Sequence, residues 1–304
     1  MKLLSPLIIL YLIIMGPAHA QQIDADALYA DGKYADAYMA YETLASTGNH
    51  DAMLKLGSLT LFGLGREKNT ELALKWYTQA MESGSAEAAF RIGEIYNDSD
   101  YVETSYQQAA LHYKIAVESG LRKAGLPLGQ LYTTSGTGKV QIENAVQSLK
   151  FAALDPDGGN HVKDAAFFLG QIYNGESVKT DKYEAFRWTE LAAEKYHTEA
   201  AAIVGSSYFT GDLVEKNKEK AYRFSRIAAV AGHAPSQFNV GIMYYQGTGV
   251  RANLAKALAW FIIAAETDPA TDNGTVEKFK AAMKPEKVSA AENEAAILRN
   301  RIHR

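Results

Sequence analysis

The chain of 304 residues contains no cysteine. That excludes disulfides, thiolate metal sites, cysteine nucleophiles and a lipid-modified N-terminal cysteine, and it leaves stability to a packed core. Charge of one sign is lacking as well. The 31 Lys and Arg nearly balance the 35 Asp and Glu, for a net charge of -4 spread along the chain rather than gathered in blocks. Such a balance leaves no electrostatic footprint for nucleic acid and no polybasic patch for anionic lipid. Beyond the first twenty residues no stretch approaches the ~18 apolar residues a membrane helix needs. Catalytic signatures are missing too: Gly-x-Ser-x-Gly, Ser-x-x-Lys and His-Glu-x-x-His do not occur.

What is present begins with a leader. Lys2 supplies a positive start, Leu3 to Met15 are almost all apolar, and Ala18-His19-Ala20 has the small-x-small pattern of a cleavage site. Residues 1–20 read as a secretory signal peptide cut between Ala20 and Gln21, which takes the net charge from -4 to -5 by removing Lys2. The expected address is a bacterial periplasm or the exterior, with no stable membrane insertion after cleavage. An uncleaved N-terminal anchor is the alternative.

A repeat fills the remainder. Ala37, Ala73, Ala109, Ala145, Ala185, Ala221 and Ala257 are spaced 36, 36, 36, 40, 36 and 36 residues apart. Gly57, Gly93, Gly129, Gly170, Gly205 and Gly241 run in parallel. A fixed period of this length marks stacked supersecondary units, which usually present a long surface to a partner. In the last full unit, helix A covers Pro235 to Tyr245 and helix B covers Leu254 to Glu266. Ala257, Trp260, Phe261 and Ala264 fall at i, i+3, i+4 and i+7, one apolar helical face. Glycine inside a helix costs about 1 kcal/mol relative to alanine. Its recurrence at one register position therefore predicts a backbone crossing too close for a side chain. A second alanine in each unit (Ala80, Ala116, Ala152, Ala192, Ala228, Ala264) fits the same crossing, and Tyr96, Tyr132, Tyr173, Tyr208, Tyr244 and the three tryptophans read as core.

This pattern resembles the Sel1-like repeat, a short relative of the tetratricopeptide repeat. The residues that carry the resemblance are Val240-Gly241, Tyr244, the Gly247-x-Gly249-Val250 loop, Ala257, Trp260-Phe261 and Ala264-Ala265, with Gly84, Gly120 and Gly232 closing units. It implies an all-α, right-handed α-solenoid of about seven two-helix repeats. Residues 21–49 form an incomplete first repeat, 50–268 six repeats, and 269–304 capping helices at Thr275–Met283 and Ser289–Arg301. Ser289 and Glu292 read as a capping box. The resemblance also implies a non-enzymatic scaffold without cofactors that binds another protein. Family members regulate envelope sensor kinases, assist export or motility machinery, contact host cells or organise ER degradation complexes. The alternative is an envelope protein that binds or hydrolyses cell-wall glycan or a β-lactam, although the cysteines of the relatives linked to β-lactams are absent.

Departures from the repeat set further expectations. Pro127, Ser148 and Leu149 mark the unit around Gly129 as the most irregular. An insertion at Asp155-Pro156-Asp157-Gly158-Gly159-Asn160 reads as a turn that bends the stack or divides it. His161, His197 and His233 are 36 residues apart and too distant to share a metal, so they read as turn or cap residues. Ser135-Gly136-Thr137-Gly138-Lys139 lacks the spacing of a phosphate loop.

Positions two before and one after each glycine are expected to line the concave side. Early units place Lys55, Ser58, Arg91, Glu94, Pro127 and Gln130 there; later ones place Phe168, Gln171, Ile203, Ser206, Asn239 and Ile242. Phe168, Ile203 and Ile242 are the candidate apolar strip for a partner peptide, with Gln171, Asn239, Arg91 and Glu94 beside it. The alternative is that the apolar three pack between neighbouring A helices.

Overall fold

A computed structural model describes residues 22, 24–134, 139–175 and 181–302. The expected leader with its cleavage site and the segment 135–138 lie outside the described residues. The described residues form helices and turns without strands. Residues 24–30 are helical. There follow α1 (Tyr34–Ala45), α2 (His50–Phe62), α3 (Thr70–Glu82), α4 (Ala86–Asn97), α5 (Tyr106–Glu118) and α6 (Gly125–Thr134). The chain continues with α7 (Lys139–Ala153), α8 (Asn160–Asn174), α9 (Lys182–Glu194), α10 (Thr198–Thr210) and α11 (Lys218–Val230). It ends with α12 (Ala234–Gln246), α13 (Leu254–Thr267), α14 (Thr275–Ala282) and α15 (Pro285–Ile302). The architecture is an all-α helical repeat solenoid.

Contacts divide the chain between Thr137 and Gly138. The inserted turn at 155–160 therefore does not separate the stacks; it lies inside the second unit, where α7 packs on α8. His161 stands in the first turn of α8 and closes that insertion by a 2.8 Å hydrogen bond between its Nε2 and Asp155 Oδ2.

Most hairpins start and close in the same way, although Gly159 before α8 offers no side-chain cap. The caps Asn49, Asn69, Ser85, Ser105, Asp181, Asn217 and Asn253 accept a backbone N–H with their side chains. His197 and His233 do the same through Nδ1. Such a bond satisfies one of the free donors at a helix start and is worth about 1 kcal/mol. The B-helix caps also tie the hairpin shut. Asn217 N donates to Tyr208 O at 3.0 Å and Asn253 N to Tyr244 O at 2.9 Å, as Asn69 does to Thr60 and Ser105 to Tyr96.

The alanines are the floor of this packing. Ala37, Ala73, Ala109, Ala145, Ala221 and Ala257, and the second series from Ala80 to Ala264, have no exposed surface. The tryptophans do not behave alike. Trp260 is 3% exposed. Trp76 and Trp188 are only half-buried and turn their indole N–H groups to Tyr38 and Glu184. These two sit at the rim, Trp76 packing on the core from its edge.

Two helix starts show how local signals resolve. Pro127 is tolerated because α6 begins at Gly125, and a first-turn residue needs no N–H partner. Ser289 is not a cap. The last helix starts a turn earlier at Pro285, since proline's fixed φ suits the first helical position. Its Ala291, Ala295 and Leu298 bury against α13, and Arg299 holds Glu266 with two hydrogen bonds of 2.9 and 2.6 Å.

Candidate functional site

The glycine register builds the site. Within a hairpin, an added Cβ at Gly57 would lie 2.5 Å from the Tyr77 ring, at Gly93 2.6 Å from Tyr113, and at Gly241 2.5 Å from Phe261. In those units an aromatic ring, four residues after the B-helix alanine, covers the glycine. In two other hairpins of the second unit the same position is Thr189 over Gly170 and Ser225 over Gly205. A hydroxyl stub stands where a ring would fill the space. Both places open into cavities.

One cavity of about 200 Å³ is floored by Gly205 and Ser225 and walled by Ser206, Phe209, Asn239, Ile242 and Met243. The other, of about 290 Å³, reaches Gly170 and Thr189 and includes Phe167, Gln171, Asn174, Phe186 and Ile203. The second cavity also meets Lys182 and Glu199, so charge stands beside its apolar walls. Apolar walls with exposed carboxamides at the mouth can bury a side chain while pairing with a backbone amide. A cavity of about 150 Å³ already accepts a benzene ring, so each has room for one aliphatic or aromatic side chain.

The structure separates the sequence-derived residues. Ile203 is 44% exposed and lines one cavity with Gln171; Asn239 and Ile242 line the other. Ile242 is half-buried and leans on the cluster around α13, which is in part the packing alternative. Phe168 is half-buried and lines neither. Arg91 and Glu94 lie in the first unit and pair with each other at 2.8 Å; Arg91 also holds Glu87 at 3.0 Å. Their charges are largely spent on one another.

Sequence reading missed Phe209, 45% exposed, and Phe167. Phe209 falls four residues after Gly205, as Tyr245 does after Gly241, where earlier units have the buried Leu61 and then Asn97 and Thr133. The register could have found it. The ring of Phe167 stacks on His197 with centroids 4.1 Å apart. Burial holds His197 below the usual histidine range, although Asp164 and Glu199 pull the other way.

Among the described residues, no helix is long and apolar enough to cross a membrane, and no cluster of three acidic or histidine side chains is placed to hold a metal ion.

The Sel1 repeat model matches residues 50–85, 86–121, 163–197, 198–233 and 234–267, more than half of the chain. It passes over the α6–α7 region, the unit with Pro127 and the missing aromatic pair. A protective antigen of uropathogenic Escherichia coli, described as displaying an SLR fold, superposes with a TM-score of 0.68 at 22% identity. The match covers 95% of this chain and 62% of that one, so this chain spans less than two thirds of it. A Sel1 repeat protein from Oxalobacter formigenes gives a TM-score of 0.58 at 26% identity over 80% of this chain and 96% of its own. No curated protein matches the chain.

Proposed function

Because this chain belongs to the Sel1 repeat family, we propose that it is a protein-interaction scaffold whose second unit takes an apolar segment of a partner protein on its A helices. Sel1 repeat proteins generally mediate protein–protein interaction and are generally non-catalytic scaffolds. The observation that carries the finer reading is the pair of cavities at Thr189 and Ser225, where the ring that closes other hairpins is missing. Two side chains of one segment enter them. Gln171, Asn174 and Asn239, exposed at the mouths, bond its backbone. The early unit, with Arg91 and Glu94 self-paired, contributes little to this contact. The leader at residues 1–20 supports a place in the periplasm or outside the cell, where such a scaffold serves an envelope process, including its regulation.

The test is affinity capture from envelope extract with the purified protein, beside Gln171→Trp and Ser206→Trp variants. Both positions are exposed on helices, so the indoles fill the cavity mouths at little cost to folding. A captured protein lost from both variants, at unchanged circular dichroism, supports the reading. Equal capture by all three places the contact elsewhere. Capture of nothing, with binding of cell-wall glycan instead, favours the glycan alternative.

A further inference from the structure

The turn from a B helix into the next A helix recurs through the chain. Gly48, Gly84, Gly120 and Gly232 hold it with φ of 88, 98, 91 and 90°. In the turn between α9 and α10 the place is taken by Tyr196 at φ 64°, the one non-glycine residue of positive φ among the described residues. An L side chain is disfavoured in this conformation. Nothing offsets that cost by burial: a Cβ at Gly48, Gly84 or Gly120 would meet no atom within 4 Å, and Tyr196 is 72% exposed. Strain kept for a solvent-facing aromatic points to use outside the fold.

The neighbours of Tyr196 say what for. With Tyr222, Arg223, Arg226, Ile227 and Val230 of α11 it lines a cleft of about 560 Å³. Arg223 reaches Glu194 at 3.6 Å. Among the described residues no carboxylate comes within ion-pair distance of Arg226, and Lys195 is exposed beside Tyr196. The cleft is therefore cationic in a chain of net charge -4. Its other wall is apolar, with Val230 36% exposed and the Tyr222 ring fixed by a 2.8 Å hydroxyl contact with Tyr244.

We infer that this cleft is a second binding site, taking a segment of a partner protein in which an Asp or Glu stands beside an aromatic or aliphatic residue. Guanidinium groups hold carboxylates with paired hydrogen bonds. Exposed Tyr and Arg are the residue types that carry most interface energy. A bare anion would leave the Ile227–Val230 wall unused, and a purely apolar ligand would leave Arg226 unpaired. The acidic–apolar peptide satisfies both. The cleft shares no lining residue with the A-helix cavities, so the two sites stand or fall separately.

A random heptapeptide phage library is panned against the purified protein, and enriched peptides are resynthesised for fluorescence anisotropy. The expected peptides carry Asp or Glu within two residues of an aromatic or aliphatic one. Arg226→Glu and Tyr196→Gly each weaken their binding at least tenfold, while Ser206→Trp leaves it unchanged. Tyr196→Gly relieves the backbone, so its melting temperature holds or rises and lost binding is not lost folding. Enrichment without an acidic–apolar pattern, peptides that bind both variants like the native protein, or peptides sensitive only to Ser206→Trp would each overturn the inference. Binding of a polygalacturonate oligomer to this cleft in place of peptides would overturn it too.

Discussion

Substituting Gly205→Ala should destabilise the second unit, although alanine is the better helix former. The added methyl would lie 2.6 Å from Ser225 Oγ, 2.8 Å from Ser225 N and 3.3 Å from Ser225 Cα. The hydroxyl can swing aside, but the backbone nitrogen moves only if α10 and α11 separate. Overpacking of this kind costs about 1–3 kcal/mol, against a helix gain of about 1 kcal/mol. With backbone as the obstacle the upper part of that range applies, which leaves a net loss of about 1–2 kcal/mol. For a domain of this size each kcal/mol lowers the melting temperature by about 2–4 °C. Thermal unfolding followed by circular dichroism reads the shift directly. Adding Ser225→Ala should recover less than half of the loss, because the clash with the nitrogen stays. A single variant as stable as the native protein, or more so, would falsify the close-crossing account of the glycine register.

At Gly241→Ala the obstacle is the Phe261 ring, 3% exposed and held between Phe238 and Phe279 at 5.0 Å each. A loss of about 1–2 kcal/mol is expected in urea titration, with an unchanged slope. Tyr196→Gly should raise stability by about 1 kcal/mol, since an L residue in the left-handed region costs about 1–2 kcal/mol and nothing buried is lost; a fall in melting temperature would count against strain there. For His197, burial depresses the folded-state pKa, so the unfolded chain takes up the proton first. Its contribution is complete above the unfolded value of about 6.5 and declines as pH falls below it. His197→Asn keeps a capping acceptor, like the native Asn49 and Asn217 caps, without titrating. Its melting temperature should fall less than that of the native protein between pH 7.5 and 5; parallel curves would contradict this.

Helices and register were legible because the buried residues carry the period: the alanines, the glycines and the caps recur at fixed offsets. The last helix was misplaced because Ser289 and Glu292 match the capping-box pattern in sequence, while proline four residues earlier had already started the helix. Trp76 and Trp188 sit at the core register yet stay at the rim, because their indole N–H groups find partners there. The candidate cavities were hidden for another reason. That Thr189 and Ser225 matter follows only once it is known which B-helix residue lies on the glycine, and that is a fact of packing. Tyr196, by contrast, was available as the one interruption in the series Gly48, Gly84, Gly120 and Gly232.

The two proposed sites share an origin. In a solenoid each unit is stabilised by the same contacts, so the consensus residue at a register position is the one that suits the fold. A departure forfeits part of that stability: Thr189 and Ser225 leave cavities unfilled, and Tyr196 keeps a strained backbone for an exposed ring. These three departures fall within 37 residues, on the α9–α11 segment of the second unit. Places where local rules are broken without a structural return are where function is to be sought. On the proposed reading α9 to α11 is the working part of the chain, with the cavities on either side of α10, completed by α8 and α12, and the cationic cleft on α11 taking two partner segments at once. Binding through both would then be tighter than through either alone, and a Ser206→Trp/Arg226→Glu double variant should lose more of a shared partner than the two single variants do separately.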